Sequence, residues 1–377
     1  MIKEETKSLL RKIVARFVDR EVKPVANDLD AAEEFPWDLF RRAADLGLFK
    51  VRYAREKGGA GGNATLYNIV CEELARGYLS LAAITAMQGL MCTDFIYKYG
   101  TEAIRDKYFH PAMRGEVVGA FCLTEPDGGT DLTAIRTMAR REGDRFVLNG
   151  VKTWITNAPV AKMFTVLSLT DDREGIRGAN FFLVDRDMPG VQVSKKFPKM
   201  GTRASIISEV AFEDVSLPLD HRLGDANRGI GNLMRILAEI RTMTASLSLG
   251  LARAAYEDSL RYVQERVAFG KPIGKYQEIR AKIANMATEI EASRLMLAWV
   301  TDKLDRSERC LKEASMVKYF VSEAACRACD EATRIFGAYS YSNEYDVNRY
   351  YRDTRFLLFG GGTSEILRDI IARELGL

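Results

Sequence analysis

Apolar residues recur at helical spacing through the first third of the chain. Leu9, Leu10, Ile13, Phe17 and Val22 stand among charges as an amphipathic helix, and Leu39, Ala43 and Leu46 keep a 3–4 spacing in a later segment. The Gly-rich turn Gly58-Gly59-Ala60-Gly61-Gly62 interrupts the pattern, which resumes through Tyr67, Val70 and Leu74 and onward past Met91. After Phe121 the texture becomes that of short strands. Phe146-Val147-Leu148, then Asn149-Gly150, then Val151 to Ile155 predict a hairpin, because Asn-Gly supplies two positive-φ positions. Further strand-like runs fall at 164–169, 180–185, 191–193 and 209–212, separated by Asp, Arg, Pro and Gly. From about 228 the helical spacing returns, in Leu249, Ala252, Tyr256, Leu260 and Val263 and in Ile279, Ile283, Met286 and Ile290. A third long helix is predicted over 311–335 and a short one over 366–375.

This order predicts an α+β protein with an N-terminal helical domain (1–120), a middle β-barrel or sandwich domain (121–225) and a C-terminal four-helix bundle (226–377). Without a βαβ alternation or a well-placed GxGxxG, a nicotinamide-binding doubly wound domain is excluded. A length of 377 residues exceeds what one core usually supports, in agreement with several domains.

Composition narrows the chemistry. Apolar residues make up 47% and charged residues 28%, as in an ordinary globular protein, and a net charge of +3 with interspersed signs offers no stripe for nucleic acid. The apolar stretches fall short of the roughly 20 residues that span a bilayer, so no membrane span is expected. The N-terminus lacks a signal-peptide block, which points to the cytoplasm. Cys71, Cys92, Cys122, Cys310, Cys326 and Cys329 have no disulfide-framework spacing. Cys326 and Cys329 lie within a helical pattern without a second pair, so all six are expected to be buried reduced thiols and no metal is expected. His110 and His221 stand alone, which removes His-ligated metals and His-based triads, and there is no GxSxG. What remains is a borrowed cofactor or no catalysis.

Five stretches in order carry a resemblance: Phe121-Cys-Leu-Thr-Glu-Pro-Asp-Gly-Gly-Thr-Asp131; Asn149-Gly-Val-Lys-Thr-Trp-Ile-Thr-Asn157; Met200-Gly-Thr-Arg203; Arg266-Val-Ala-Phe-Gly-Lys-Pro-Ile273 with Gln277; and Ile335-Phe-Gly-Ala-Tyr339 running through Arg352-Asp353 to Gly362-Thr-Ser-Glu365. Together they resemble the FAD-dependent acyl-CoA dehydrogenase family over essentially the whole chain. Small residues in the first loop let backbone N–H groups approach an anion. The resemblance implies FAD contacts at Phe121, Leu123, Thr124, Gly129 and Thr130, with Trp154 and Thr156 against the flavin ring. It also implies that Arg266, Phe269 and Gln277 reach the FAD of a neighbouring subunit in a homotetramer. Gly337 matches a nucleotide contact, and Thr363 and Glu365 match flavin-side positions. Arg334 stands where the family usually has Gln; an arginine can pair with pyrophosphate.

The pattern breaks at the catalytic base. Most family members carry an aromatic residue and then Glu before Gly-Thr-Ser, whereas here Gly360 and Gly361 occupy those places. Isovaleryl-CoA and long-chain dehydrogenases supply the base from the residue before an arginine that corresponds to Arg241, and here that residue is Ile240. Glu239 lies one step further, rotated by about 100° on a helix. Some alicyclic acyl-CoA dehydrogenases, acting on cyclohexane- or cyclohexene-carboxyl-CoA, use an aspartate of the N-terminal domain. Asp94 is the matching candidate, flanked by Leu90, Met91, Phe95 and Ile96, and its burial is expected to raise its pKa to general-base strength. Asp94 is therefore the first candidate base and Glu239 the second. The arginine that would hold a glutaryl carboxylate aligns with Ala82.

The resemblance implies dehydrogenation of an acyl-CoA thioester with FAD as hydride acceptor and an electron-transfer flavoprotein as re-oxidant. Arg241 matches a position near the CoA end of the tunnel, and Gly361 offers its N–H to the thioester carbonyl. Two side chains missing at Gly360 and Gly361 are expected to leave room for a bulky, branched or alicyclic acyl group. The alternatives are a flavin monooxygenase on the same fold, or a silent FAD- or acyl-CoA-binding protein.

Overall fold

The structure is a computed structural model and describes residues 2–170 and 172–377. The N-terminal part contains α1 (Glu4–Phe17), α2 (Ala26–Ala32), α3 (Trp37–Asp45), α4 (Ala64–Gly77), α5 (Leu79–Ala86), α6 (Asp94–Tyr99), α7 (Glu102–Ile104) and α8 (His110–Met113). The apolar positions of α1 bury Val14 and Phe17. Asn63 starts α4 by accepting the Leu66 N–H at 3.0 Å, satisfying one orphan donor of the first turn. The chain breaks at Tyr78, with φ −157°, so α5 departs in a new direction. Between α5 and α6 a π-helical turn, Met87–Met91, widens the helix, a device often found beside functional sites. Within it the Gln88 amide donates to the Ala112 and Val117 carbonyls at 2.9 and 2.7 Å, and its oxygen accepts the Gly119 N–H at 3.0 Å.

One sequence expectation changes here. The run Leu79–Tyr99 is long and apolar enough to cross a bilayer by length and composition, with a mean hydropathy of 1.4. It is 89% buried inside the fold, where it forms the centre of the main core.

The middle part is one mixed sheet of β1 (Gly119–Cys122), β2 (Met138–Glu142), β3 (Arg145–Thr156), β4 (Met163–Leu169), β5 (Ala179–Asp185), β6 (Val191–Val193), β7 (Ile207–Pro218) and β8 (Arg222–Leu223). The order is β6-β7-β3-β2-β4-β5-β8, with β1 added in parallel to β4. Phe146, Leu148, Phe164, Val166, Phe182 and Phe212 give the sheet a core of its own. The predicted Asn-Gly hairpin is incorrect. Asn149 and Gly150 lie inside the continuous strand β3, and the β2–β3 turn is at Gly143 and Asp144. Gly150 instead marks a bulge, where the pairing with β7 shifts register and a Cβ would stand 2.5 Å from Thr137 Oγ1. Asn149 spends its side chain across that bulge, donating to Asp214 Oδ1 and accepting the Asp214 N–H, both at 2.9 Å.

The C-terminal part contains α9 (Gly229–Glu265), the short strands β9 (Val267–Ala268) and β10 (Lys271–Pro272), α10 (Gln277–Asp305), α11 (Leu311–Phe336), α12 (Asp346–Thr354) and α13 (Ser364–Glu374). Helices α9, α10 and α11 pack on one another, and α13 packs on α11 as the fourth member. All six cysteines are free thiols; Cys326 is only half-buried, contrary to expectation.

The three parts meet at the Gly201 turn. A Cβ on Gly201 would stand 2.5 Å from the Arg352 carbonyl, so only glycine lets the turn press on α12. The Thr202 N–H donates to Asp353 Oδ1 at 2.6 Å, and Arg352 pairs with Asp30 of α2 at 2.6 Å. Burial, helped by the Asp30 carboxylate, pushes Asp353 up from 3.8 to about 6. Because the folded value is the higher one, this group favours folding most below the unfolded value, and that contribution is lost as pH rises through about 6. Between those limits the stability difference between wild type and Asp353→Asn is expected to change by about 3 kcal/mol. Urea unfolding of both proteins at a series of pH values measures it.

Candidate active site

The bulge in β3 between Lys152 and Ile155 puts Trp154 at φ +59° and turns its indole outward. The ring is 62% exposed, with its face braced edge-on by Phe197 at 5.4 Å. At the same point the Thr153 N–H donates to the Thr124 carbonyl at 2.9 Å, so the Thr124 loop lies on the bulge. Glu125 and Gly128 close that loop with reciprocal backbone bonds of 2.9 and 3.1 Å. Beneath it, fully buried Lys152 pairs with Glu125 at 2.7 Å and donates to the Leu123 carbonyl at 3.1 Å. Glu125 also accepts the Arg136 and Thr137 N–H groups at 2.7 and 3.0 Å. Burial alone would raise the Glu125 carboxyl, but Lys152 and these donors hold it below its ordinary range.

The result fits a flavin. An outward indole, a half-buried Thr156 beside it and an exposed Gly129-Thr130 loop form an open surface that a planar ring and its phosphates cover. A Cβ at Gly129 would meet only Thr124 Cγ2, at 3.5 Å. Leu123 and Thr124 are half-buried at its edge. Phe121 differs: its ring is turned into the core against the Phe95–Phe181 pair, with centroids 6.1 and 5.8 Å away.

A second group lies at the end of the bundle. Phe269 stands at the β9–β10 tip with φ +50° and is 97% exposed, while Arg266 lies over the Tyr339 ring at 5.4 Å. Gln277 opens α10 with an exposed side chain, and Gly337 ends α11 at φ +60°. Arg334 is exposed and paired with Asp330 at 2.7 Å on its own helix. Thr363 and Glu365 lie apart from this group, beside Lys318 and Glu323 of α11; Thr363 caps α13 by accepting the Ile366 N–H at 3.4 Å, and exposed Glu365 pairs with Arg368 at 3.2 Å.

The two places where the family holds a glutamate converge. A Cβ on Gly361 would stand 3.7 Å from Ile240 Cγ2 and 3.2 Å from Thr244 Oγ1. Thus glycine faces isoleucine and threonine, and among the described residues no carboxylate is one of the nearest contacts of this spot. Helix α9 runs unbroken through Glu239, so no local shift turns that residue toward Gly361. Gly361 and Gly362 have φ of +75° and +114°. Their loop is held by two buried cations. Arg241, far from being an exposed helix-face residue, donates to the Gly361 carbonyl and to Ser315 Oγ, each at 3.3 Å. Lys318 donates to the Leu358 and Gly362 carbonyls at 3.0 and 2.5 Å. Burial takes Arg241 down to about 10 and Lys318 to about 8. The space expected beside Gly360 is filled: Phe356 ring atoms lie 3.0 and 3.1 Å from where a Cβ would be. On the Gly361 side a Cβ would press on Thr244 Oγ1 at 3.2 Å, so the predicted gap is not found at either glycine.

Asp94 and Glu239 meet in one cluster. Arg52 donates to Asp94 at 2.9 Å and to Glu239, Lys98 pairs with them at 3.0 and 3.8 Å, and Arg235 at 3.1 and 3.4 Å. Arg52 also lies 5.3 and 5.8 Å over the Tyr53 and Tyr67 rings. The expected rise in the Asp94 pKa is not found. Burial does push the carboxyl up, but Arg52, Lys98 and Arg235 outweigh it and hold it below its ordinary range. A carboxylate so stabilised is a poor proton acceptor. Arg52, Lys98, Arg235, Lys152 and Lys318 were not anticipated from the sequence. A lone arginine in the otherwise mostly apolar run from Leu46 to Tyr53 was the one available signal for Arg52.

Fold and site together fit a flavin-dependent oxidoreductase with helical domains on either side of a sheet. Family models for the acyl-CoA dehydrogenase N-terminal, middle and C-terminal domains match residues 4–116, 120–215 and 227–376. The chain belongs to the acyl-CoA dehydrogenase family and is an FAD-dependent enzyme acting on acyl-CoA. It is 45% identical to benzylmalonyl-CoA dehydrogenase of Aromatoleum aromaticum, over 96% of this chain and 95% of that one. It is 34% identical to the CarC subunit of the caffeyl-CoA reductase-Etf complex of Acetobacterium woodii, over 98% of each. The structure of butyryl-CoA dehydrogenase from Megasphaera elsdenii superposes with a TM-score of 0.96 at 31% identity, covering 100% of both chains.

Proposed function

We propose that the chain dehydrogenates an acyl-CoA thioester whose acyl group is bulky, aryl-bearing and carboxylated on the α-carbon, so that loss of CO2 replaces proton abstraction. The observation that carries this reading is Gly361 facing Ile240 and Thr244, neither of which takes a proton as a base. The relative named for benzylmalonyl-CoA supports it, because a malonyl thioester has a carboxylate where other acyl groups have the α-proton. The C–CO2 bond breaks and its electron pair becomes the thioester enolate. The α,β double bond then forms as the β-hydrogen leaves with two electrons, giving CO2 and an enoyl thioester. Bound FAD supplies the two-electron acceptor. The chain's own part is to orient and to exclude water. Arg241 and Lys318 fix the loop that carries Gly361, whose N–H meets the charge that develops on the thioester oxygen. Trp154, Thr124, Gly129 and Thr156 hold the cofactor.

The exposure of Phe269, at a position that the family resemblance sets against a neighbouring subunit, is compatible with a homotetramer. The Etf named with the CarC relative supports an electron-transfer flavoprotein as re-oxidant. A displaced base acting on an alicyclic thioester is the second reading, favoured by the convergence of Asp94 and Glu239 on Arg52.

Anaerobic titration of the yellow enzyme separates the two readings. Benzylmalonyl-CoA is expected to bleach the flavin with one CO2 released per flavin reduced, and 3-phenylpropanoyl-CoA to bleach it at least about a hundredfold more slowly. Equal bleaching by both, or bleaching by cyclohexanecarboxyl-CoA without CO2, would return the mechanism to a side-chain base.

A further inference from the structure

The Arg52 cluster contains more positive charge than its own carboxylates balance. Arg52, Lys98 and Arg235 face Asp94 and Glu239, three cations against two anions, where α9 packs against the N-terminal helices. An uncompensated charge in so enclosed a place is costly unless an anion completes it. The cluster also has an open side. The Arg52 and Asp94 side chains are almost entirely enclosed, whereas those of Lys98 and Arg235 are 31% and 36% exposed. Lys98 registers the excess: burial brings it down to about 8, and Arg235 and Arg52 add to that, although Asp94 pulls the other way.

Its position relates it to the reacting carbon. Glu239 and Ile240 are successive residues of one unbroken helix, and Ile240 is the residue that faces Gly361. Over about two and a half turns, α9 presents Ile240 and Thr244 toward Gly361 and, about 100° round the helix, Arg235 and Glu239 into the cluster with Arg52, Lys98 and Asp94. The Tyr67 ring, which lies under Arg52, is tied by its hydroxyl to the Ala86 carbonyl at 3.1 Å, where the π-helical turn begins. We infer that Arg52 and Arg235, with Lys98 beside them, form the receptor for a free carboxylate on the acyl group of the thioester.

This assignment rests on the dehydrogenase reading and adds to it the residues that choose a carboxylated acyl group. Two guanidinium groups offer the planar, paired donors that carboxylates select. Asp94 and Glu239 then serve to hold those guanidiniums in place and to keep the empty receptor soluble in the fold. The place that the sequence comparison with glutaryl-type enzymes would have suggested, Ala82, is an apolar buried residue and offers no donor.

Phenylmalonyl-CoA and phenylacetyl-CoA test the inference, since they differ by the carboxylate and neither has a β-hydrogen to lose. Calorimetric titration of the FAD-loaded enzyme is expected to give at least about a tenfold preference for phenylmalonyl-CoA. Arg235→Gln and Arg52→Gln are expected to reduce that preference to within about threefold while leaving phenylacetyl-CoA affinity unchanged. Arg235 is part-exposed, so its variant tests the idea even if Arg52→Gln fails to fold. No preference in the wild type, or equal weakening of both ligands in Arg235→Gln, would overturn the assignment. The two readings fail separately. A preference without flavin bleaching by any thioester defeats the dehydrogenation chemistry alone, and bleaching without a preference defeats the receptor alone.

Discussion

Asparagine at position 94 is expected to cost the folded enzyme about 3–5 kcal/mol, because it leaves buried cations without a counter-charge. At saturating carboxylated thioester the same substitution is expected to leave the rate of flavin reduction within about threefold of wild type, its effect on the receptor falling on affinity, whereas loss of a general base costs about a hundredfold or more in that rate. The geometry argues for this separation of stability from turnover. Asp94 is fully buried and bonded by Arg52 at 2.9 Å, Lys98 at 3.0 Å and Arg235 at 3.1 Å, which occupies both of its oxygens. A carboxylate held below its ordinary range by that company gains little by accepting a proton. Urea unfolding and anaerobic rapid-mixing of the same preparation provide both numbers. If stability is unchanged and bleaching disappears, Asp94 is the base and the counter-ion role is wrong.

Lys152→Met is expected to be as damaging, but through the cofactor. It strands Glu125 in the protein interior, for a loss of about 3–5 kcal/mol, and it releases the loop on which the flavin site depends. The Lys152 ammonium is the only side chain that donates both to the Glu125 carboxylate and to the Leu123 carbonyl among the described residues. Protein purified from this variant should therefore be pale, with a lower ratio of flavin to protein absorbance, and should melt earlier even when FAD is added. Lys152→Met combined with Glu125→Gln should recover much of the stability. The two carboxylate oxygens accept the Arg136 and Thr137 N–H groups separately, so the amide keeps an acceptor for only one of them, but it carries no charge to strand. A double variant no better than the single one would mean that the pair matters for shape and not for charge.

The helices were legible because burial on one face writes itself into the 3–4 spacing, as with Leu249, Ala252 and Val263 of α9. The family itself was legible from motifs, and the three family models match the stretches that carry them. What was not legible depended on partners distant in sequence. Asn149-Gly150 has the composition of a turn, yet the residue it needs is Asp214, 65 positions away, which captures the asparagine within a strand. The outward turn of Trp154 comes from a bulge that no local pattern announces. The Asp94 pKa was read from its apolar neighbours along the chain, while its real surroundings come from Arg52 and Arg235, 42 and 141 positions away. Gly360 was read as vacant because a side chain is absent there; Phe356, one turn earlier, fills the gap.

The backbone at Gly361 also sets how far this position stands from a carboxylate. Two of the four glycine codons lie a single nucleotide from a glutamate codon and the other two from an aspartate codon. At φ +75°, however, any L-residue there carries roughly 1–2 kcal/mol of strain before it contributes anything, and its Cβ would press on Thr244 Oγ1 at 3.2 Å. A carboxylate here is therefore near in the gene and disfavoured by the backbone, unless the loop that carries it is re-set.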